Sequence, residues 1–205
     1  MSFDRSVFIN CPFDKDYRPL LDAMLFTIVY LEHEPLISET VDSGIERMNS
    51  IQNLIRQAKY SIHDLSRMEA HAAGDLPRFN MPFELGVDFG CRLYGGGNLE
   101  SKMFLVLEKE NHRYHATLSD LSGKDIESHG NKPKTLVRKV RNWLGKIYNE
   151  KLIGPDKIWE GYNEFLSYLS ITLEDEGFDA DDIEDLSRSD FIRYIKDWIS
   201  ARAAL

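Results

Sequence analysis

Ser6-Val7-Phe8-Ile9-Asn10-Cys11-Pro12-Phe13-Asp14 reads as a short strand running into a polar corner. Val7, Phe8 and Ile9 suit a pleated, buried ribbon. Pro12 has no N–H to give to a ladder, so the strand ends there. Asp14 or Asp16 can cap the helix that follows, where Leu20, Met24, Ile28 and Leu31 recur at helical spacing. That stretch carries Asp22 and reads as an amphipathic helix. Residues 34–39 then make a second strand, interrupted by Pro35.

The alternation continues along the chain. Asp42-Ser43-Gly44 reads as a helix start, with Ile45, Met48, Ile51, Ile55 and Ala58 on one face. Residues 60–66 form a third strand with polar residues at its end. Residues 67–80 form a long loop, and long loops inside compact domains are often lids. Gly95-Gly96-Gly97 is a turn, without the ordered spacing of a phosphate-binding loop. Residues 103–108 are a buried strand, and 115–121 a short edge strand. Residues 134–148 are a basic helix whose Leu136, Val140, Leu144 and Ile147 face inward. Such alternation predicts a Rossmann-like, doubly wound, mostly parallel sheet. Gly154-Pro155 divides an α/β domain, residues 1–153, from a helical C-terminal extension, residues 154–205. The extension holds helices at 157–173 and 189–204 around an acidic stretch.

The net charge of −9, from 25 basic and 34 acidic residues, argues against general nucleic-acid binding. The two cysteines, Cys11 and Cys91, make neither a disulfide framework nor a zinc set. The first residues lack the pattern of a secretory leader, and no apolar run is long enough to span a bilayer. A cytoplasmic protein is expected. His112, His115 and His129 have no spacing suited to a metal, and the acidic run near Asp179 lacks the glycine of a calcium loop.

In a doubly wound sheet, ligands sit outside the carboxyl ends of the strands. The residues that fall there are Cys11, Pro12, Phe13 and Asp14, then Asp64 and Ser66. The helix start in Arg78-Phe79-Asn80-Met81-Pro82-Phe83-Glu84-Leu85-Gly86 opens on the same rim. Pro82 suits the first helical position, which puts Glu84 in the first turn, where free N–H groups favour an anion. Phe83, Val87, Gly90 and Tyr94 are then expected to face the core, with Glu84 beside that stripe. Asp64 and Glu84 are the candidate catalytic pair, since paired carboxylates can divide nucleophilic and proton-handling work. Arg47, Arg67 and Arg78 are candidates to grip a phosphate, with Asn80 near. His63 alternates to the other face of its strand and is expected to be packed or at the surface. Cys11 has no histidine placed to activate it.

Three pieces in order carry a family resemblance: residues 7–13, residues 58–66 and Pro82-Phe83-Glu84-Leu85-Gly86. Together they resemble the nucleoside 2-deoxyribosyltransferase-like group and the related TIR-type domains, across about residues 5–110. The resemblance implies a flavodoxin-like fold and cleavage of an N-glycosidic bond in a nucleoside, nucleotide or NAD, without a cofactor. Glu84 matches the catalytic glutamate, Asp64 the aspartate ending the third strand, and Pro12-Phe13 the corner bordering the base. The resemblance also implies a homo-oligomer, and several TIR-type proteins act in antiviral defence. Members of the transferase group carry an aspartate, a small residue and a threonine before the glutamate motif. Here Arg78 to Pro82 stand instead, which points toward a phosphorylated substrate. A second reading is a nucleotide-binding sensor without turnover, and the C-terminal helices are candidate contacts for a protein partner.

Overall fold

The structure is a computed structural model that describes residues 2–38, 46–68, 79–110, 126–148 and 151–203. Strands β1 (Ser6–Asn10), β2 (Glu34–Ile37), β3 (Tyr60–Asp64), β4 (Met103–Glu108) and β5 (Ile126–Ser128) form one sheet in the order β2-β1-β3-β4-β5. Every pairing is parallel. This is the flavodoxin-like order, whose switch point lies between β1 and β3. Pro35 is accommodated because β2 is an edge strand. The expected strand at 115–121 lies outside the described residues, and the three-residue β5 is an addition. No described helix is long and apolar enough to cross a membrane.

Alternation along the strands sorts the two faces. Val7, Ile9, Tyr60, Ile62, Leu105 and Leu107 point to one side. There they meet α1 (Arg18–Tyr30), α4 (Pro133–Tyr148), α5 (Pro155–Asp175) and α7 (Arg188–Ala203). On the other side, α2 (Arg47–Gln57) covers Phe8 and Leu36 with Ile51 and Ile55. Beside it, α3 (Asn80–Tyr94) sets Met81 and Leu85 on Leu65 and Val106. The turn at Gly96 and Gly97 follows α3, and both glycines take positive φ, +69° and +60°, where a Cβ would be strained.

Two expectations are corrected here. Helix α1 is not amphipathic: Leu20, Leu21, Ala23 through Val29 are all buried. A helix apolar on every side needs cover all round, and the outer cover comes from α5 and α7. Phe26 stacks on Phe165 and packs against Tyr162 and Trp198. Asp22, the one acid in α1, is held by Arg188 and lies near Arg18. Residues 154–203 therefore complete the same core as the sheet.

The second correction concerns α3. Its buried residues are Met81, Glu84, Leu85 and Asp88. Phe83 and Tyr94, expected inside, are 60% and 87% exposed. The reason lies beneath the helix, where β1 and β3 present Asn10, Ser61 and His63 rather than apolar side chains. Of the two places expected for His63, packed or at the surface, it takes the first: it is fully buried, and its Nε2 lies 3.1 Å from Asp88 Oδ2. Asn10 Nδ2 donates to the Met81 carbonyl at 2.9 Å and lies 3.0 Å from His63 Nδ1. Lys102 Nζ sits 3.2 Å from Asp88 Oδ1 and donates to the carbonyls of Ile55 and Ala58. A polar core thus fixes α3 over the sheet.

Candidate active site

The carboxyl ends of β1 and β3 and the N-terminal part of α3 bring Cys11, Asp14, Asp64 and Glu84 together. Burial pushes the Cys11 thiol well above its ordinary value, and the charges of Asp64, Glu84 and Asp14 push it further. All three carboxylates therefore bear on one point. The same shift keeps Cys11 protonated and unsuited to nucleophilic work. Pro12 is buried beside it, and Phe13 stands half-exposed at the rim.

Asp64 is wholly buried and well supplied with donors. Tyr17 Oη donates to Oδ2 at 2.6 Å, the Ser66 N–H donates to Oδ1 at 2.9 Å, and His129 Nε2 lies 3.0 Å from Oδ2. The Asn131 N–H donates to His129 Nδ1 at 3.0 Å. The imidazole proton is therefore on Nε2, facing Asp64. Burial alone would raise the Asp64 carboxyl, but the hydrogen bonds from His129, Ser66 and Tyr17 hold it below its ordinary value. Ser66 Oγ also lies 3.0 Å from His129 Nε2. Serine, histidine and aspartate meet here, yet an acyl-transfer triad uses both imidazole nitrogens in relay. In this cluster Ser66 and Asp64 share one nitrogen, so it fixes a loop and does not activate a hydroxyl.

Glu84 has the opposite environment. It is only 8% exposed, and no described residue donates a hydrogen bond to it. Helix α3 begins at Asn80, so Pro82 is its third residue and Glu84 its fifth. The first-turn placement is thus corrected, and with it the expectation that the helix terminus lowers the Glu84 pKa. Burial raises the carboxyl, and the charge of Arg47 draws it back down only in part. Arg47 is the first residue of α2 and is exposed.

Arg47 also walls a cavity of about 470 Å³ shared with Phe13, Asp14 and Ser38. A small ligand fits this volume. Its far wall is Glu184, Asp185, Leu186 and Arg188, so the C-terminal segment reaches the rim. It is fastened there by Lys15 to Glu184 and by Arg18 to the Ile183 carbonyl. A larger cavity, about 890 Å³, lies by Phe89, Phe104 and Trp143, away from the switch point. Its Lys139 is paired with Glu127, and its Arg141 donates to the carbonyls of Leu152 and Ile153.

Of the other expected contacts, Arg67 is bound to Asp14 through Nε and Nη2, at 3.2 and 2.9 Å. It is a brace of the β1 corner rather than an open phosphate grip. Asn80 is exposed at the start of α3. Arg78 lies outside the described residues. Tyr17 and His129 were not among the expected site residues. Tyr17 follows Asp14 by one turn, and its N–H donates to Asp14 Oδ1 at 3.0 Å. His129 follows β5 directly, so only strand order brings it to Asp64. Among the described residues no group of three or more side chains could hold a metal ion. Neither a protein-family model nor a curated protein matches the chain.

The two carboxylates should leave opposite marks on stability. The folded-state pKa of Glu84 is raised, so ionising it costs stability above that pKa, and the cost fades below the unfolded value of 4.5. Glu84→Gln is expected to melt higher than the parent at about pH 7.5, with the gain gone by about pH 4. The folded-state pKa of Asp64 is lowered, so its contribution is present above the unfolded value of 3.8 and lost as pH falls through the folded one. Asp64→Asn should cost about 2–4 kcal/mol near neutrality, because three donors lose a charged acceptor. That deficit should narrow in acid. Calorimetric melts of both variants across pH read the two signs directly.

Proposed function

We propose that the chain is an N-glycosidase acting on a nucleotide, NAD included, by hydrolysis or transfer. The observation that carries this reading is Glu84: a buried carboxylate with a raised pKa, no described hydrogen-bond donor, and an exposed arginine within electrostatic reach. It stands at the switch point of a flavodoxin-like sheet, where such folds bind ligands. Cleavage breaks the bond between C1′ and the base nitrogen, and the electron pair leaves with the base. Positive charge develops on the sugar ring. A desolvated carboxylate stabilises that charge more than a hydrated one, or attacks C1′ to form a glycosyl ester. Water or another acceptor completes the exchange. Arg47 is assigned to a phosphate of the substrate.

Asp64 receives a positioning role in this account. Its oxygens are taken by Tyr17, Ser66 and His129, so it ties the corner after β1, the end of β3 and the segment after β5 into one frame. The same engagement favours a second reading, in which a nucleotide is bound and sensed without turnover, since among the described residues Glu84 alone of the candidate pair has no hydrogen-bond donor. An effector role in antiviral defence follows only from the TIR-type resemblance and is part of the proposal.

The test is a product screen. The protein is incubated separately with NAD, nucleoside monophosphates and deoxynucleosides, and free base is followed by chromatography. Release of base or nicotinamide is the expected result. Saturable nucleotide binding with no released base would move the assignment to the sensor, and neither binding nor release would remove nucleotides from the account.

A further inference from the structure

The larger cavity, about 890 Å³, lies at the outer edge of β4. The sheet stops short there, because β5 pairs with Val106, Leu107 and Glu108 alone. Helices α3 and α4 flank the β4 edge from Met103 to Leu105, and among the described residues no strand closes it. The α3 contribution comes from the far end of that helix. Arg92 follows Glu84 by eight residues, which is about 12 Å along the helix axis.

The lining joins rings to cations. Arg92 lies over Phe89 and Phe104, with its guanidinium 5.1 and 4.7 Å from their ring centroids. Those contacts hold the guanidinium plane in place, and Trp143 of α4 lines the same cavity. Lys139 is paired with Glu127, the one acid in the lining. Arg141 is fixed by the carbonyls of Leu152 and Ile153, which position it without neutralising its charge. Lys146 is exposed. Arg92, Arg141 and Lys146 therefore meet no acid of the cavity wall, and α4 contains no acid at all. In a chain of net charge −9, a cleft lined by cations concentrates the local attraction for an anion.

We propose that this cavity binds a small molecule that joins a flat aromatic ring to anionic groups, a nucleoside phosphate being the class that carries both. The ring stacks against Phe104, Trp143 and the Arg92 guanidinium, since bases stack on aromatic faces and on guanidinium planes alike. The phosphates are drawn by Lys146 and Arg141. The volume suits a ligand of this size, because small-molecule sites run to about 300–1,000 Å³. A longer nucleic acid is disfavoured, since it would run from this cavity onto an acidic chain. Glu84 is not in the lining, so the ligand held here is an effector and not the molecule Glu84 would cleave. The inference is independent of the proposed activity.

Tryptophan fluorescence tests it, with ATP as the probe. ATP is expected to quench the full-length protein saturably, and Trp143→Phe should abolish the quenching, which ties the signal to this cavity. Lys146→Glu and Arg92→Ala should each weaken the binding about 10-fold or more. Lys146 is exposed, so its variant should keep the parent's melting point. Arg47→Ala, at the switch point, should leave the quenching curve unmoved. Adenosine and pyrophosphate, added as competitors, should each displace ATP at least about 10-fold less well than ATP itself, because each offers only half of what the cavity reads. No saturable quenching would overturn the inference. So would quenching that Arg47→Ala removes and Lys146→Glu does not, or pyrophosphate competing as well as ATP.

Discussion

A chain ending at Ile153 is expected not to fold. Helix α1 would lose the cover that makes its all-apolar surface tolerable. Ile158, Phe165, Leu173, Phe191 and Ile195 are at most 2% exposed, and Trp198 is 6% exposed. Each fully buried large side chain contributes about 1.5–3 kcal/mol. The six together exceed about 9 kcal/mol, comparable with the whole stability of a typical domain. The truncated chain should show no cooperative melt and should bind a hydrophobic dye. A sharp transition in the truncated chain would show that residues 1–153 fold alone and that α5 and α7 are dispensable. The same truncation would remove Glu184, Asp185, Leu186 and Arg188, one wall of the cavity beside Phe13, Asp14 and Arg47.

Lys102→Met is expected to be the most damaging single change beneath α3. Lys102 is 2% exposed, and its ammonium meets Asp88 Oδ1 and the carbonyls of Ile55 and Ala58. Burial lowers the lysine pKa, and Asp88 opposes that shift. Removing the ammonium leaves a buried carboxylate with His63 as its main support and two carbonyls without this donor. Breaking a buried pair on one side costs about 3–5 kcal/mol, which for a chain of this length lowers Tm by roughly 6–20 °C. Asp88→Asn in the same background removes the stranded charge. The double variant should therefore be less destabilised than the sum of the two singles. Additive losses in thermal melts would mean that the two groups do not depend on each other. Because Asn10 ties this network to the Met81 carbonyl, the lysine also helps to hold the helix that presents Glu84.

Much of this architecture was legible in the sequence. The apolar runs of β1, β3 and β4 are short, dense and bounded by turn residues, and their alternation with helices leads to a parallel sheet. The rim residues follow from the rule that ligands gather at strand ends, which is why Cys11, Asp64 and Glu84 meet as expected. What failed has specific causes. Periodicity reports an apolar face, not a buried one. In α3 the two differ, because the sheet beneath is polar and the outer face is apolar. In α1 a single acid suggested a wet side, but its partner Arg188 lies 166 residues later. Tyr17 and His129 have no local signal of function. They matter because β3, the corner after β1 and the end of β5 converge on the Asp64 carboxylate.

The central claim is that Glu84 carries the chemistry, and one comparison tests it most directly. Base release by the parent protein and by Glu84→Gln is measured on whichever nucleotide the screen identifies, with melting and nucleotide affinity recorded alongside. The account predicts a variant that is folded, melts no lower than the parent at neutral pH, binds the nucleotide, and releases base at least about 10²-fold more slowly. Base release at the parental rate by a folded Glu84→Gln protein would contradict it.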